Sequence, residues 1–283
     1  MKKRILIPTD FSKNAFNALQ YALQLFEQEE CEFFILNCYY LSGMDRNNLL
    51  VPEPSKKAQA AVEERAKGHM ENLKKRMSGF VNNPKHDFSY HTIFGPFFET
   101  VKSFVAEQEI DLVVMGTQGQ SDKKTVILGS NAVNLMEKIR FCPIMVIPYS
   151  VRFKNPNEIV FPSSYRTHYK PKELRILDEI SRITKAPIRV LHIQNKKELT
   201  EDQQENKKYL NSIFDLAEVT HHKLYDLDVN DGVMAFVQSR ESEMIAFVNK
   251  KHNFFGSIFS NPIVKELGMH TKVPLLAMHD KRV

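Results

Sequence analysis

"RILIPTDF", residues 4–11, is a short apolar run stopped by a proline and an acid. A continuous apolar run of this length, bounded by turn residues, reads as a buried strand. The period then changes. Ala15, Leu19, Ala22 and Phe26 fall about one helical turn apart, and Ser12 stands where a cap belongs. "CEFFILNCYY" (31–40) reads as a second strand, and residues 41–55, with Gly43, Pro52 and Pro54, as a loop. A long amphipathic helix is expected over about 56–79, a third strand at "DFSYHTIFG" (87–95), and a helix from Phe97 to Gln108. "DLVVMG" (111–116) is the fourth strand, a helix runs from about Asn131 to Ile139, and "PIMVIP" (143–148) is the fifth strand. Strands alternating with helices, several of them continuous apolar runs, predict an α/β fold whose parallel sheet is covered on both faces.

The second half repeats the first. "EIVFPSSY" (158–165) answers "RILIPTDF", a helix over 171–184 answers the first helix, and "IRVLHIQ" (188–194) answers "FFILNCY". "DGVMAFVQSRESEMIAFV" (231–248) answers "GPFFETVKSFVAEQEIDLVVM", and "KVPLLAMH" (272–279) answers "FCPIMVIP". The offset is about 154 residues at the first strand and about 131 at the last, so the second copy is shorter between its second and third strands. An internal duplication of this kind implies two domains, 1–150 and 157–283, joined near "SVRFKNPN".

Composition narrows the class. The chain has 283 residues, 42% hydrophobic and 26% charged, and a net charge of +5. No long run of like charge and no basic stripe interleaved with aromatics is present, so nucleic acid is not an expected partner. Three cysteines without paired spacing, Cys31, Cys38 and Cys142, read as small buried hydrophobes rather than a disulfide framework. "MKKRILIPTD" does not read as a signal peptide, and no stretch approaches 18 apolar residues. A reducing, cytoplasmic setting without membrane spans is expected.

"MGTQGQSDKKTVILGSN" (115–131) holds three of the 10 glycines, Gly116, Gly119 and Gly129, with Ser130 after the last. Glycine lets backbone turn sharply or approach a neighbour with no Cβ in the way. A ligand phosphate is one such neighbour; a strand end and a helix cap are the plain alternatives.

In this order, these features resemble the universal stress protein family in its tandem, two-domain form. The residues that carry the resemblance are "ILIPTD" at the start, "GP" at 95–96, "DLVVMGTQG" at the fourth strand, the Gly-x2-Gly-x9-Gly-Ser spacing of the family's ATP-binding subgroup, and "CPIMVIP" as the closing strand. The resemblance implies two flavodoxin-like, doubly wound sheets of strand order 3-2-1-4-5. It also implies adenine nucleotide, ATP above all and with Mg2+ as an optional companion, as ligand. Pairing through the last strand is implied as well, within the chain in tandem members, with room for a homodimer and for a protein partner of unstated kind.

With that strand order the crevice lies at the carboxyl ends of strands 1 and 4. Pro8, Thr9 and Asp10 close strand 1, and Met115 and Gly116 close strand 4. Gly116 and Gly119 would admit a ligand close to the backbone. Gly129 and Ser130 precede a helix whose N–H groups and dipole favour phosphate, with Ser130 and Asn131 adding side-chain donors. Asp10 would accept from an adenine amino group or a ribose hydroxyl, or hold a metal. Cys38 stands where the family often has an apolar residue beside the adenine. Lys123 and Lys124 lie in a flap, 120–128.

The second half lacks these features. Pro162-Ser163-Ser164 replaces Pro8-Thr9-Asp10, and "FVNKKHNFFGSIFSNPIVKE" (247–266) replaces the glycines. Nucleotide is therefore expected in the first half alone, with Phe254, Phe255 and Phe259 as apolar filling in the second. No Gly-Lys-Ser/Thr follows the glycines, so binding with slow hydrolysis at most is expected. A scaffold, or a module for some other small ligand, is the alternative. His221-His222, adjacent on a strand, face opposite ways and read as structural. Met115, Met145 and Met278 read as core.

Overall fold

The computed structural model describes residues 2–40, 56–79, 81–117, 129–194, 198–214, 217–249 and 272–279. The element order is β1 (Lys3–Pro8), α1 (Lys13–Leu25), β2 (Cys31–Tyr39), α2 (Lys56–Ser78), β3 (His86–Phe94), α3 (Phe97–Glu107), β4 (Leu112–Gly116), α4 (Ser130–Lys138) and β5 (Ile144–Ile147). It continues with β6 (Ile159–Pro162), α5 (Pro171–Thr184), β7 (Ile188–Gln194), α6 (Glu201–Ile213), β8 (Val219–Tyr225), α7 (Val229–Arg240), β9 (Met244–Asn249) and β10 (Leu275–His279).

The ten strands form one sheet in the order β3-β2-β1-β4-β5-β10-β9-β6-β7-β8. Each half has its own 3-2-1-4-5 order, and within each half the pairing is parallel. The two sheets expected in tandem are joined edge to edge. β10 pairs antiparallel with β5, Leu275 opposite Val146 and Ala277 opposite Ile144. That seam covers two strand edges that would otherwise present open N–H and C=O groups.

Alternation along the strands feeds two cores. Ile5 and Ile7 of β1 face one layer, built with Leu19, Ala22 and Leu25 of α1, Leu73 and Met77 of α2, Leu174, Leu177 and Ile180 of α5, and Leu210 of α6. Leu6 faces the other, built with Val101 and Phe104 of α3, Leu135 and Met136 of α4, and Val233 and Phe236 of α7. Burying a side chain such as Leu19 or Phe26 contributes about 1.5–3 kcal/mol each. The helices start where caps allow. Ser12 Oγ accepts from Ala15 N at 3.1 Å, and Thr200 with Gln203 closes a capping box at α6.

Cys31 and Cys142 are buried and Cys38 half-buried, and none of the three is in a disulfide. Met115, Met145 and Met278 are core. α2 has 23 residues and α6 only 13, which is where much of the second copy's shortening falls. Among the described residues no helix is long and apolar enough to cross a membrane.

Candidate functional site

The end of β1 is built the same way twice. In the first half Phe11 N donates to Thr9 Oγ1 at 3.0 Å, Ser12 N donates to Asp10 Oδ1 at 3.0 Å, and Asn37 Nδ2 donates to the Thr9 carbonyl at 2.8 Å. In the second half Tyr165 N donates to Ser163 Oγ, Arg166 N to Ser164 Oγ, and His192 Nδ1 to the Ser163 carbonyl at 2.8 Å. Phe11 and Tyr165 both sit at positive φ, 64° and 57°. Left-handed backbone at a bulky residue is strained, and these side-chain acceptors are what hold it. Asp10 is thus a turn residue, half-buried at the crevice rim. Ser164 makes the same turn without the charge, so the carboxylate itself is not needed for the fold.

Asn14, on the first turn of α1, lies against Gly116. A Cβ on Gly116 would stand 2.6 Å from Asn14 Cγ and Nδ2. Asn14 Nδ2 also reaches Thr117 Oγ1 at 3.5 Å. Gly116 is therefore required by a neighbour within the protein. The pairings place Leu112 beside Ile5 and Met244 beside Ile159, which makes Val248 the second-half counterpart of Gly116.

Gly129 N donates to the Thr117 carbonyl. The chain therefore leaves β4 at Thr117 and returns to the same point at the start of α4. Gly129 caps α4 with φ −71° and ψ 153°, a conformation open to any residue. Ser130 and Asn131, the first two residues of α4, are exposed. Their N–H end is available to an anion at the mouth of the crevice. Gly119, the flap with Lys123 and Lys124, and Phe254, Phe255 and Phe259 lie outside the described residues.

Pro8, Thr9, Asp10, Met115, Gly116, Gly129, Ser130 and Asn131 are thus gathered at the carboxyl ends of β1 and β4. Pro8, Thr9 and Met115 are buried beneath. Cys38, on β2, packs into the second core layer. Burial pushes its thiol up to about 12, against a weaker opposing hydrogen bond with Thr100, so it is a neutral wall group. Thr100 in turn requires Gly95, whose φ is +155° and where a Cβ would meet Thr100 Oγ1 at 2.7 Å. In the second half Ile193 and Gly232 stand in the places of Cys38 and Thr100, and a Cβ on Gly232 would lie 2.6 Å from Ile193 Cδ1. The larger residue on the strand is matched by the smaller on the helix.

The second half has a crevice of about 480 Å³ whose lining includes Ser164, His192, Leu199, Gln203, Leu227 and Asp228. Asp228 caps α7 where Pro96 precedes α3, so a carboxylate stands at this helix start. Burial lowers the His192 pKa, and the backbone bond to Ser163 only partly offsets that. His221 and His222 are bonded within the fold, His221 to Tyr165 Oη at 2.7 Å and Asn211 Oδ1 at 2.6 Å, His222 to Thr220 Oγ1 at 2.9 Å. Among the described residues no cluster of three or more His, Cys, Asp and Glu is arranged to hold a metal.

Comparison with known proteins agrees with this architecture. The profile of the universal stress protein family matches residues 1–148. A universal stress protein of Methanocaldococcus jannaschii is 26% identical over 159 residues, which cover 52% of this chain and 95% of that protein. The crystal structure of a universal stress protein from Archaeoglobus fulgidus superposes with a TM-score of 0.69 at 15% identity, covering 98% of this chain and 96% of the other. A Pseudomonas aeruginosa structure, described as a putative universal stress protein, gives 0.59 at 13% identity, covering 98% and 93%. At those identities the two structures speak for the fold alone. The family match spans more than half of the chain, and the chain belongs to the universal stress protein family.

Proposed function

We propose that residues 1–150 form a domain that binds one adenine nucleotide, ATP in the first instance, and that residues 157–283 form a second domain of the same fold that does not. The observation that carries this reading is the Gly129–Thr117 hydrogen bond. It brings the exposed start of α4 to the carboxyl end of β4, beside the Asp10 turn at the end of β1. Phosphate oxygens would lie on the N–H groups of Ser130 and Asn131, with the Ser130 hydroxyl as a further donor. Asp10 would take a ribose hydroxyl, the adenine amino group or a bound Mg2+. Cys38 and Met115 would supply apolar wall. Bound nucleotide would alter the surface shown to a protein partner.

The second domain supports the assignment by contrast. It keeps the turn of Ser163, Ser164 and Tyr165, yet has Ser164 for Asp10 and so lacks the carboxylate at the crevice rim. A second reading, a crevice for a small ligand other than a nucleotide, is favoured there by the pocket lined with Ser164, His192 and Asp228. The Asp228 carboxylate at the start of α7 opposes phosphate.

The test is the nucleotide content of purified protein, read by absorbance and mass spectrometry, for the wild-type chain and for Asp10→Ala. Adenine nucleotide in the first and its loss in the second support the reading. Wild-type protein that carries none, and that titrated ATP leaves unchanged, refutes it.

A further inference from the structure

His192 stands on β7 where Asn37 stands on β2, and the two do the same work for the fold. Asn37 Nδ2 donates to the Thr9 carbonyl at 2.8 Å, and His192 Nδ1 donates to the Ser163 carbonyl at 2.8 Å. A carbonyl only accepts, so the proton is on Nδ1. Burial foremost, joined by the charges of Lys223, Arg166 and Lys207, outweighs the Ser163 bond and keeps the ring neutral. Its Nε2 is therefore an acceptor. The first half shows that an amide is enough for the carbonyl bond, so the second ring nitrogen is surplus to the fold. It has no hydrogen-bond partner among the described residues, although His192 is only 5% exposed. Buried acceptors are ordinarily met by a donor from protein, water or ligand.

The ring lines the second-half crevice of about 480 Å³, a size that suits a small organic ligand. Several other polar groups of the wall are already engaged. Gln203 donates to the Ser164 carbonyl at 2.8 Å and accepts from Thr200 N at 3.0 Å, and Asp228 accepts from Asn230 N at 2.8 Å. Ser164 Oγ accepts from Arg166 N at 3.3 Å, which leaves its own proton to give. Two buried residues thus offer the crevice an acceptor, His192 Nε2, and a donor, the Ser164 hydroxyl. Ile193, Leu199 and Leu227 add apolar wall. Charge favours neither sign of ion. A cation would meet the three positive charges that act on His192, and an anion would meet Asp228 and Glu198.

We propose that this crevice binds one uncharged small molecule whose amide or hydroxyl group donates to His192 Nε2 and accepts from Ser164, with its apolar part against Ile193, Leu199 and Leu227. The inferred ligand class rests on the second-half crevice being a ligand site, and it stands whether or not nucleotide binds in the first half.

The probes are benzamide, N,N-dimethylbenzamide, benzoate and benzylamine, each titrated into the isotope-labelled 283-residue chain. Dissociation constants are read from the NMR shifts of crevice residues. Benzamide should saturate these shifts. The dimethyl form has no N–H and should bind about fivefold more weakly, the worth of one hydrogen bond. Both charged probes should bind more weakly than benzamide. His192→Asn keeps the bond to Ser163, as Asn37 does for Thr9. It should weaken benzamide about fivefold and leave N,N-dimethylbenzamide unchanged. The wild-type His192 Nε2 resonance should move with benzamide and stay in place with the dimethyl form. Equal constants for those two amides, or a charged probe that binds tighter than benzamide, overturn the inferred ligand class and leave the crevice as a ligand site of another kind. No saturable shift from any of the four removes both. If His192→Asn does not fold, the wild-type nitrogen resonance decides.

Discussion

Asn14 on α1 occupies the space that a side chain at Gly116 would need, 2.6 Å from the position of its Cβ. The first glycine of the Gly-x2-Gly-x9-Gly-Ser spacing thus has a cause inside the protein. Its presence says nothing by itself about a ligand, and the weight of the nucleotide reading shifts to Gly119, Ser130 and Asp10.

Gly116→Ala should destabilise the chain by about 1–3 kcal/mol, the usual cost of overpacking a close contact. Asn14→Ala in the same chain should restore much of it. A double-mutant cycle by urea unfolding should show a coupling of at least about 1 kcal/mol. Simple additivity of the two changes would mean that Gly116 is not there for Asn14.

Glu158 is the most heavily bonded buried charge among the described residues of the second half. It is 5% exposed and accepts from Arg240 Nε at 2.8 Å, Arg240 Nη2 at 2.7 Å, Ser242 Oγ at 2.6 Å and Arg189 Nε at 3.0 Å. Burial alone would raise its pKa; the hydrogen bonds from Arg240, Ser242 and Arg189 outweigh that and bring it to about 2. Glu158→Gln, which leaves Arg240 without a carboxylate and Arg189 with Glu218 alone, should cost about 3 kcal/mol at pH 7. Because the folded pKa is depressed, this contribution is present above the unfolded value near 4.5 and is lost as pH falls from there towards 2. The variant should show a flatter acid limb in that window, measured by the denaturant midpoint.

His221 acts in a higher window. Asn211 Oδ1 can only accept, so Nε2 carries the proton and Tyr165 Oη donates to Nδ1. Burial, with Lys207 and His222 adding to it, lowers the pKa from 6.5 to about 4. Above pH 6.5 the ring is neutral in both states and adds no pH dependence. Between 6.5 and 4 the unfolded chain takes the proton and stability falls, by up to about 1.4 kcal/mol per pH unit for one proton. His221→Gln keeps both bonding partners and should lessen the slope over that range. An unchanged slope would show that His221 titrates normally in the folded protein.

Much of the architecture was legible because it rests on apolar periodicity. The strands at 31–40 and 188–194 and the helix at 171–184 emerged within a residue or two, since each buries a continuous run or a clear stripe. α6 gave little signal. Its sequence "EDQQENKKYLNSI" buries only Leu210, and a helix held otherwise by a capping box and by polar bonds from Gln203 and Asn206 to the Ser164 and Tyr165 carbonyls shows no apolar period. The seam was anticipated through the family resemblance, because neither β5 nor β10 says which edge it will meet. The cause of Gly116 was not legible at all. It depends on Asn14, 102 positions away in the chain, and on the angle at which α1 crosses β4.

The most direct measurement is calorimetric titration of ATP into the nucleotide-free 283-residue chain, wild type against Gly119→Val. Gly119 is the better probe than Gly116, whose replacement strains the fold for reasons of its own. One ATP per chain, abolished by Gly119→Val without loss of the folding transition, is the expected result. No heat of binding, two equivalent sites per chain, or unchanged binding in the variant would contradict a nucleotide site confined to the first half.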